Sequence, residues 1–235
     1  MPRLRLIAGP NGSGKSSLIH KLRTVPVSTG IYLNADDFEK TLNTTKSLSL
    51  SDIKIPPNII SEDDIIDFKS KNPNYSEFTI HNNHIYDIKF NIDSYFASFF
   101  IELIRNKLII NQLSFTFESV MSHISKVELL INSKNKGFTN YLYFVGTISP
   151  EINIERVKNR VKKGGHPVPE DKIISRYYKS MENLFVASSL CKRCYFFDNS
   201  TESMRLIAQT NERVTTLSDS LPEWFIKYYL DKEIN

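Results

Sequence analysis

The sequence predicts an α/β fold: a doubly wound, mostly parallel sheet with helices on both faces. Three observations carry that prediction. Short apolar runs at 4–8, 31–34, 115–118, 141–146 and 195–198 read as buried strands. Stretches of helical periodicity alternate with most of them, the pattern that parallel strands joined by crossover helices require. The first run, Leu4, Leu6, Ile7 and Ala8, leads straight into Gly9-Pro10-Asn11-Gly12-Ser13-Gly14-Lys15-Ser16, the spacing G-x-x-x-x-G-K-[ST] of a phosphate-binding loop. In open sheets of this class the chemistry sits beyond the C-terminal ends of the parallel strands.

Each residue type in the loop has a physical task. The glycines let the backbone approach a ligand closely, so that successive N–H groups converge on one oxyanion. Lys15 sets a positive charge on the β- and γ-phosphates, and the Ser16 hydroxyl is a ligand for Mg²⁺. Leu18, Ile19 and Leu22 follow at helical spacing, and a helix starting here adds its positive N-terminal end. Gly9, Asn11, Gly12, Ser13, Gly14, Lys15, Ser16 and Ser17 are therefore the candidate nucleotide-binding residues, with ATP and Mg²⁺ as the expected cofactors.

Ile31-Tyr32-Leu33-Asn34 reads as the second strand, ending in Ala35-Asp36-Asp37-Phe38. A carboxylate just past a strand can accept a proton from a hydroxyl near the γ-phosphate, which makes Asp36 the candidate base. Its alternative task is to cap the next helix, as Asp36 or Asp37. Residues 41–90 change character: Asn-, Ser-, Asp- and Lys-rich, with Pro56-Pro57 and Pro73 and weak periodicity. They read as an insertion or lid-like segment with little helix of its own. His81 and His84 within it read as solvated loop residues, not a metal pair.

Ile92 to Ile110 is helical. Phe115-Thr116-Phe117-Glu118 is a buried strand whose terminal carboxylate either holds substrate hydroxyls, helps to place Mg²⁺, or is merely a solvated strand end. A helix containing Val127 to Ile131 ends at Gly137, before the strand Tyr141–Gly146. A further helix spans about Glu151 to Lys163, and Gly164-Gly165-His166-Pro167-Val168-Pro169 turns into another that starts at Glu170. Arg156 and Arg160 share a helix face, Lys162 and Lys163 follow, and Arg176 lies beyond the turn. Arginines over a transferring phosphate are a recurrent device, and a solvated basic face is the alternative. After the strand at 195–198, segments 206–209 and 213–217 suggest a hairpin turning at Asn211-Glu212. Residues 222–230 form a closing amphipathic helix with Trp224 as a core residue.

With 235 residues, 40% hydrophobic and 24% charged, the chain suits a single domain, 1–235, with 41–90 inserted in it. No apolar run approaches the roughly 20 residues of a membrane span, and the N-terminus enters a strand at once, so a cytoplasmic protein without a signal peptide is expected. The two cysteines, Cys191 and Cys194, cannot complete a zinc site alone and read as reduced thiols. The net charge of +4 is uneven: residues 36–93 hold eleven acidic and six basic side chains, residues 101–194 eight and fifteen. A basic region beside a phosphate loop suits a phosphorylated substrate.

These segments together resemble the zeta-toxin-like kinases, and more closely the P-loop ATPases or kinases grouped with them. The resemblance runs through Ala8–Ser17, Leu33-Asn34-Ala35-Asp36, Phe117-Glu118-Ser119, Arg156–Val161, Gly164–Pro169, Ile174–Tyr177 and Asn183-Leu184. The turn between two basic helices is its most specific part. It implies a P-loop NTPase fold of the kinase type and ATP- and Mg²⁺-dependent phosphorylation of a small-molecule hydroxyl, UDP-N-acetylglucosamine in the zeta toxins. By position Asp36 matches the catalytic base, Glu118 the substrate-side acid, and Arg160 and Arg176 the phosphate-binding arginines. An antitoxin protein is then a possible partner. Two other functions fit the loop: a nucleic-acid end kinase, motivated by a pI of about 8.9 but without any nucleic-acid-binding motif, and a non-catalytic ATP-dependent switch.

Overall fold

A computed structural model describes residues 1–24, 29–211, 213–216 and 218–234. In chain order the elements are β1 (Arg3–Ala8), α1 (Lys15–Arg23), β2 (Ile31–Leu33), α2 (Ala35–Thr45), β3 (Leu48–Ser49), α3 (Glu62–Lys71), β4 (Thr79–His81), β5 (His84–Tyr86) and α4 (Ser94–Ile110). Then come β6 (Phe115–Ser119), α5 (Ser125–Asn135), β7 (Thr139–Gly146), α6 (Pro150–Lys162), α7 (Glu170–Glu182), α8 (Leu184–Ser189), β8 (Arg193–Asp198), β9 (Arg205–Asn211) and β10 (Arg213–Thr216). The chain closes with α9 (Glu223–Phe225), a π-helical turn (Ile226–Leu230) and α10 (Asp231–Ile234). These elements sort into two compact units, residues 1–29 with 118–235, and residues 30–117.

In the first unit the strand order is β10-β9-β8-β7-β1. β1 runs parallel to β7, and β7 parallel to β8, so Ala8, Gly146 and Asp198 end at one edge of the sheet. β8, β9 and β10 are antiparallel, the hairpin expected from the sequence; Glu212 at its turn and Leu217 lie outside the described residues. Leu4, Leu6, Ile7, Leu142, Phe144 and Phe196 are wholly buried, which explains why these strands read as continuous apolar runs. The C-terminal turns cover the sheet with Trp224, Phe225 and Tyr229, and the Phe196 ring centroid lies 4.9 Å from that of Phe225 and 4.6 Å from that of Tyr229. Trp224 packs where Gly146 leaves room: a Cβ there would stand 2.5 Å from the indole. Its Nε1 donates to Asp198 Oδ1 at 3.1 Å.

In the second unit β2 pairs parallel with β6, Leu33 opposite Phe117. Residues 41–90 are not the irregular segment expected. They finish α2, form α3, and build a second sheet of order β3-β5-β4. α3 starts at a capping box, Ser61 with Asp64, and Asp64 pairs with Lys107 of α4 at 2.8 Å. The Lys107 ammonium and the Ser61 donors hold the Asp64 carboxyl below its usual range, against the opposing effect of burial. Aromatic rings make the core: Phe38 stacks on Phe100 at 5.5 Å, and Phe68 meets Phe78 and Phe96 edge-on at 6.0 and 6.1 Å. Asp93 caps α4 through the Tyr95 and Phe96 amides and also accepts from the Tyr75 hydroxyl. Arg105 of α4 is buried over the Phe117 ring, 5.0 Å from its centroid, with Glu102 at 3.8 Å as its ion pair. Burial pulls its pKa down to about 10, and Glu102 only partly offsets this. Among the described residues no helix is long and apolar enough to cross a membrane.

Candidate active site

The phosphate loop joins β1 to α1 in the first unit. Gly12 and Gly14 have φ of +76° and +106°, where L side chains are strained. Neither has room for a side chain: a Cβ on Gly12 would lie 2.6 Å from the Asn153 carbonyl oxygen, and one on Gly14 2.4 Å from the Asn199 amide nitrogen. α1 starts at Lys15, directly after Gly14, so its unpaired N–H groups and positive end belong to the loop. Lys15 is buried, and its ammonium donates to the carbonyls of Gly9 and Pro10, both at 2.9 Å. Asn11 Oδ1 and Ser13 Oγ are buried without a hydrogen-bond partner among the described residues. The Ser13 hydroxyl is thus a donor that an oxyanion can use.

Two asparagines hold the loop from outside. Asn153 Nδ2 of α6 donates to Asn11 O at 2.7 Å, and Asn199 Nδ2, just past β8, donates to Ser13 O at 2.7 Å. Asn153 accepts from the Thr147 hydroxyl at 2.5 Å, and the Tyr177 hydroxyl donates to Thr147 O at 2.6 Å. Burial first, then the neighbouring Tyr228 and Tyr178, raises the Tyr177 pKa well above the ordinary range. The sequence reading missed Asn153, Asn199 and Thr147. Their partners in the loop or on α6 are invisible to local periodicity.

Glu118, near the end of β6, reaches the loop directly. Ser16 Oγ lies 3.3 and 3.4 Å from its two carboxylate oxygens, donating to them. A hydroxyl and a carboxylate side by side are hard oxygen donors. Mg²⁺ takes one or two such protein ligands and completes its shell with phosphates and water. The donor set fits that ion, and among the described residues no cluster of three or more His, Cys, Asp or Glu offers a metal cage.

The arginines divide. Arg156 spans two backbone carbonyls, Nη1 to Asn199 O at 2.6 Å and Nη2 to Thr201 O at 3.1 Å. Arg160, in the last turn of α6, is exposed and donates from Nη2 to His166 O at 2.8 Å across the Gly-Gly turn. Lys158 and Glu170 brace that turn at 2.7 Å. Arg176 is half-buried on α7, with no side-chain partner among the described residues. Ser17 is exposed on α1.

Asp36 lies in the second unit, exposed in the first turn of α2. The cap of that helix is Asn34, whose side chain accepts from Asp36 N at 2.9 Å, so neither Asp36 nor Asp37 is the N-cap. His81 and His84 are not loop residues: they face each other as a registered pair on β4 and β5. Cys191 and Cys194 are both free thiols, and Cys194, first, and burial push the Cys191 pKa up.

Residues 59–211 match the family described as Zeta toxin; Glu118, Arg160 and Arg176 lie inside the match, the phosphate loop and Asp36 before it. An uncharacterized protein of Haemophilus influenzae is 38% identical over 65 residues, 28% of this chain and 46% of that relative, so the chain spans under half the relative's length. Among solved structures, the PezAT chromosomal toxin–antitoxin system of Streptococcus pneumoniae superposes with a TM-score of 0.55 at 14% identity, over 98% of this chain and 79% of that one. AvrRxo1-ORF1:-ORF2 with ATP superposes with a TM-score of 0.58 at 13% identity, over 92% and 61%. These similarities show a shared fold.

Proposed function

Since the chain belongs to the zeta toxin family, we propose that it is an ATP-dependent kinase that transfers the γ-phosphoryl group to a hydroxyl of a small molecule. The observation that carries this reading is the Ser16 hydroxyl set 3.3 Å from the Glu118 carboxylate, beside a glycine loop closed over Lys15. Nucleotide switches also use such a loop. The kinase reading adds an acceptor hydroxyl and a base for its proton.

In this mechanism the loop amides and Lys15 bind the β- and γ-phosphates. Ser16 and Glu118 hold Mg²⁺, which when bound offsets negative charge on the phosphates. Asp36 orients the acceptor hydroxyl and takes its proton. Arg160 and Arg176 stabilise charge that builds on the transferring group. Arg160 has one hydrogen bond to leave, and Arg176 has no side-chain partner among the described residues, so both can turn to a phosphate. The contact with Ser16 favours Glu118 on the metal side over the substrate side.

The acceptor class we propose is a nucleotide sugar such as UDP-N-acetylglucosamine, with action in the cytoplasm, where ATP is available. A toxin role with a neutralising antitoxin draws support from the family and from the toxin–antitoxin system named above. The test incubates the protein with ATP, Mg²⁺ and a panel of sugar nucleotides, and reads ADP release and product mass. A product heavier by one phosphoryl group supports the reading. ADP release with no phosphorylated acceptor points to a switch, and phosphorylation of oligonucleotide ends alone replaces the acceptor class.

A further inference from the structure

We infer that Arg156 is a positioning residue for nucleotide binding: through Asn199 it holds the phosphate loop in its binding shape. The inference rests on the nucleotide-binding reading of the loop. Arg156 belongs to a run of basic residues whose expected partner was phosphate. Its two terminal nitrogens instead meet the carbonyls of Asn199 and Thr201, at 2.6 and 3.1 Å. No carboxylate pairs with it among the described residues.

What this fork secures is the residue that holds the loop. Asn199 is fixed at three points. Its amide N donates to Gly146 O at 2.9 Å, its carbonyl accepts from Arg156, and its side chain donates to Ser13 O at 2.7 Å. That side chain lies so close to Gly14 that a single carbon there would collide with it. Asn153, three residues before Arg156 on α6 and so on the same face, donates to Asn11 O. One helix face therefore reaches the loop on both sides of Gly12, directly at Asn11 and through Asn199 at Ser13. A loop that binds by converging N–H groups gains affinity from being held in that shape beforehand. Lysine keeps the charge of Arg156 but has no planar fork with which to span two carbonyls.

The test uses Arg156→Lys, Asn199→Asp and the double variant of the full chain. MgATP binding is read by calorimetry, and amide exchange is read on the nucleotide-free protein. Arg156→Lys is expected to weaken MgATP binding about tenfold, the worth of roughly one hydrogen bond, and to speed exchange at residues 12–16 while β1 and β7 keep their protection. The double variant is expected to bind within about twofold of Asn199→Asp alone, because the two side chains act in series. If Asn199→Asp lowers the melting temperature, Asn199→Ser takes its place in the cycle. Unchanged loop exchange, faster exchange spread over the whole unit, or additive losses in the double variant would each overturn the inference. Wild-type protein that binds no nucleotide would overturn the nucleotide reading, while the loop-exchange comparison still decides whether Arg156 holds the loop.

Discussion

Glu118→Gln separates the two tasks open to this carboxylate. The substitution is nearly isosteric, and its amide oxygen still accepts from Ser16 Oγ, so the fold and the contact at 3.3 Å are retained. What is lost is one negative charge beside the hydroxyl that we assign to Mg²⁺. Ser16 is exposed and Glu118 half-buried, so a water-like dielectric is the appropriate lower limit. Even at a separation of about 5 Å a unit charge contributes about 1.7 kcal/mol to binding a divalent ion, and a direct ligand contributes more. At about 1.4 kcal/mol per tenfold, the Mg²⁺ concentration for half-maximal activity rises at least about 10-fold in the variant. The acceptor KM at saturating Mg²⁺ should change less than about threefold, because the lost charge acts on the metal. The assay titrates Mg²⁺ at fixed ATP, then the acceptor at saturating Mg²⁺, with a thermal melt on the same preparation. An unchanged Mg²⁺ midpoint with a raised acceptor KM would refute the metal-side assignment and return Glu118 to the substrate.

Lys15→Ala removes the only charged side chain inside the loop and should weaken MgATP binding on the order of 100-fold, two charge-assisted hydrogen bonds at about 1.5 kcal/mol each; equal affinity by calorimetry would contradict the loop's assignment. Asp36→Asn leaves the Asn34 cap intact, so the melting temperature should hold while single-turnover transfer slows about 10²- to 10⁴-fold; near-wild-type transfer would remove Asp36 from the base role. Arg105→Met replaces a buried guanidinium whose Nε has no partner among the described residues and should be neutral or stabilise by about 1 kcal/mol in denaturant melts; a loss of more than about 2 kcal/mol would show that the charge is better compensated than the 3.8 Å ion pair with Glu102 suggests.

The fold class was legible because its signals are local. Ala8, Gly146 and Asp198 end strands dense in buried apolar residues, and Gly9 to Ser16 keep a spacing few other structures need. Trp224 read as core from helical spacing, and it is buried. The unit 30–117 was not legible as a folded body. β3, β4 and β5 are two or three residues long, too short to show an alternation of period two, and α3 buries only Ile65 and Phe68. The supports of the site were hidden for a different reason. Asn153 and Asn199 act through hydrogen bonds to residues 142 and 186 positions away, and a single asparagine carries no pattern. Arg156 was visible as a basic residue, but only the structure shows that its partners are backbone carbonyls.

Residues 30–117 fall between the two sequence stretches of the other unit, and this sets an order of assembly during synthesis. Residues 30–117 are contiguous, with the β2–β6 pair and the aromatic core contained within them, so this body can close as soon as its own residues have emerged. The phosphate loop precedes residues 30–117 in sequence, yet β1 pairs with β7 and the loop is held by Asn153 and Asn199. The loop, made before residues 30–117, therefore takes its final form only after Asn153 and Asn199 have followed them, and contacts of such long sequence separation form slowly. Until Asn199 has been translated, the loop lacks one of its two asparagine supports.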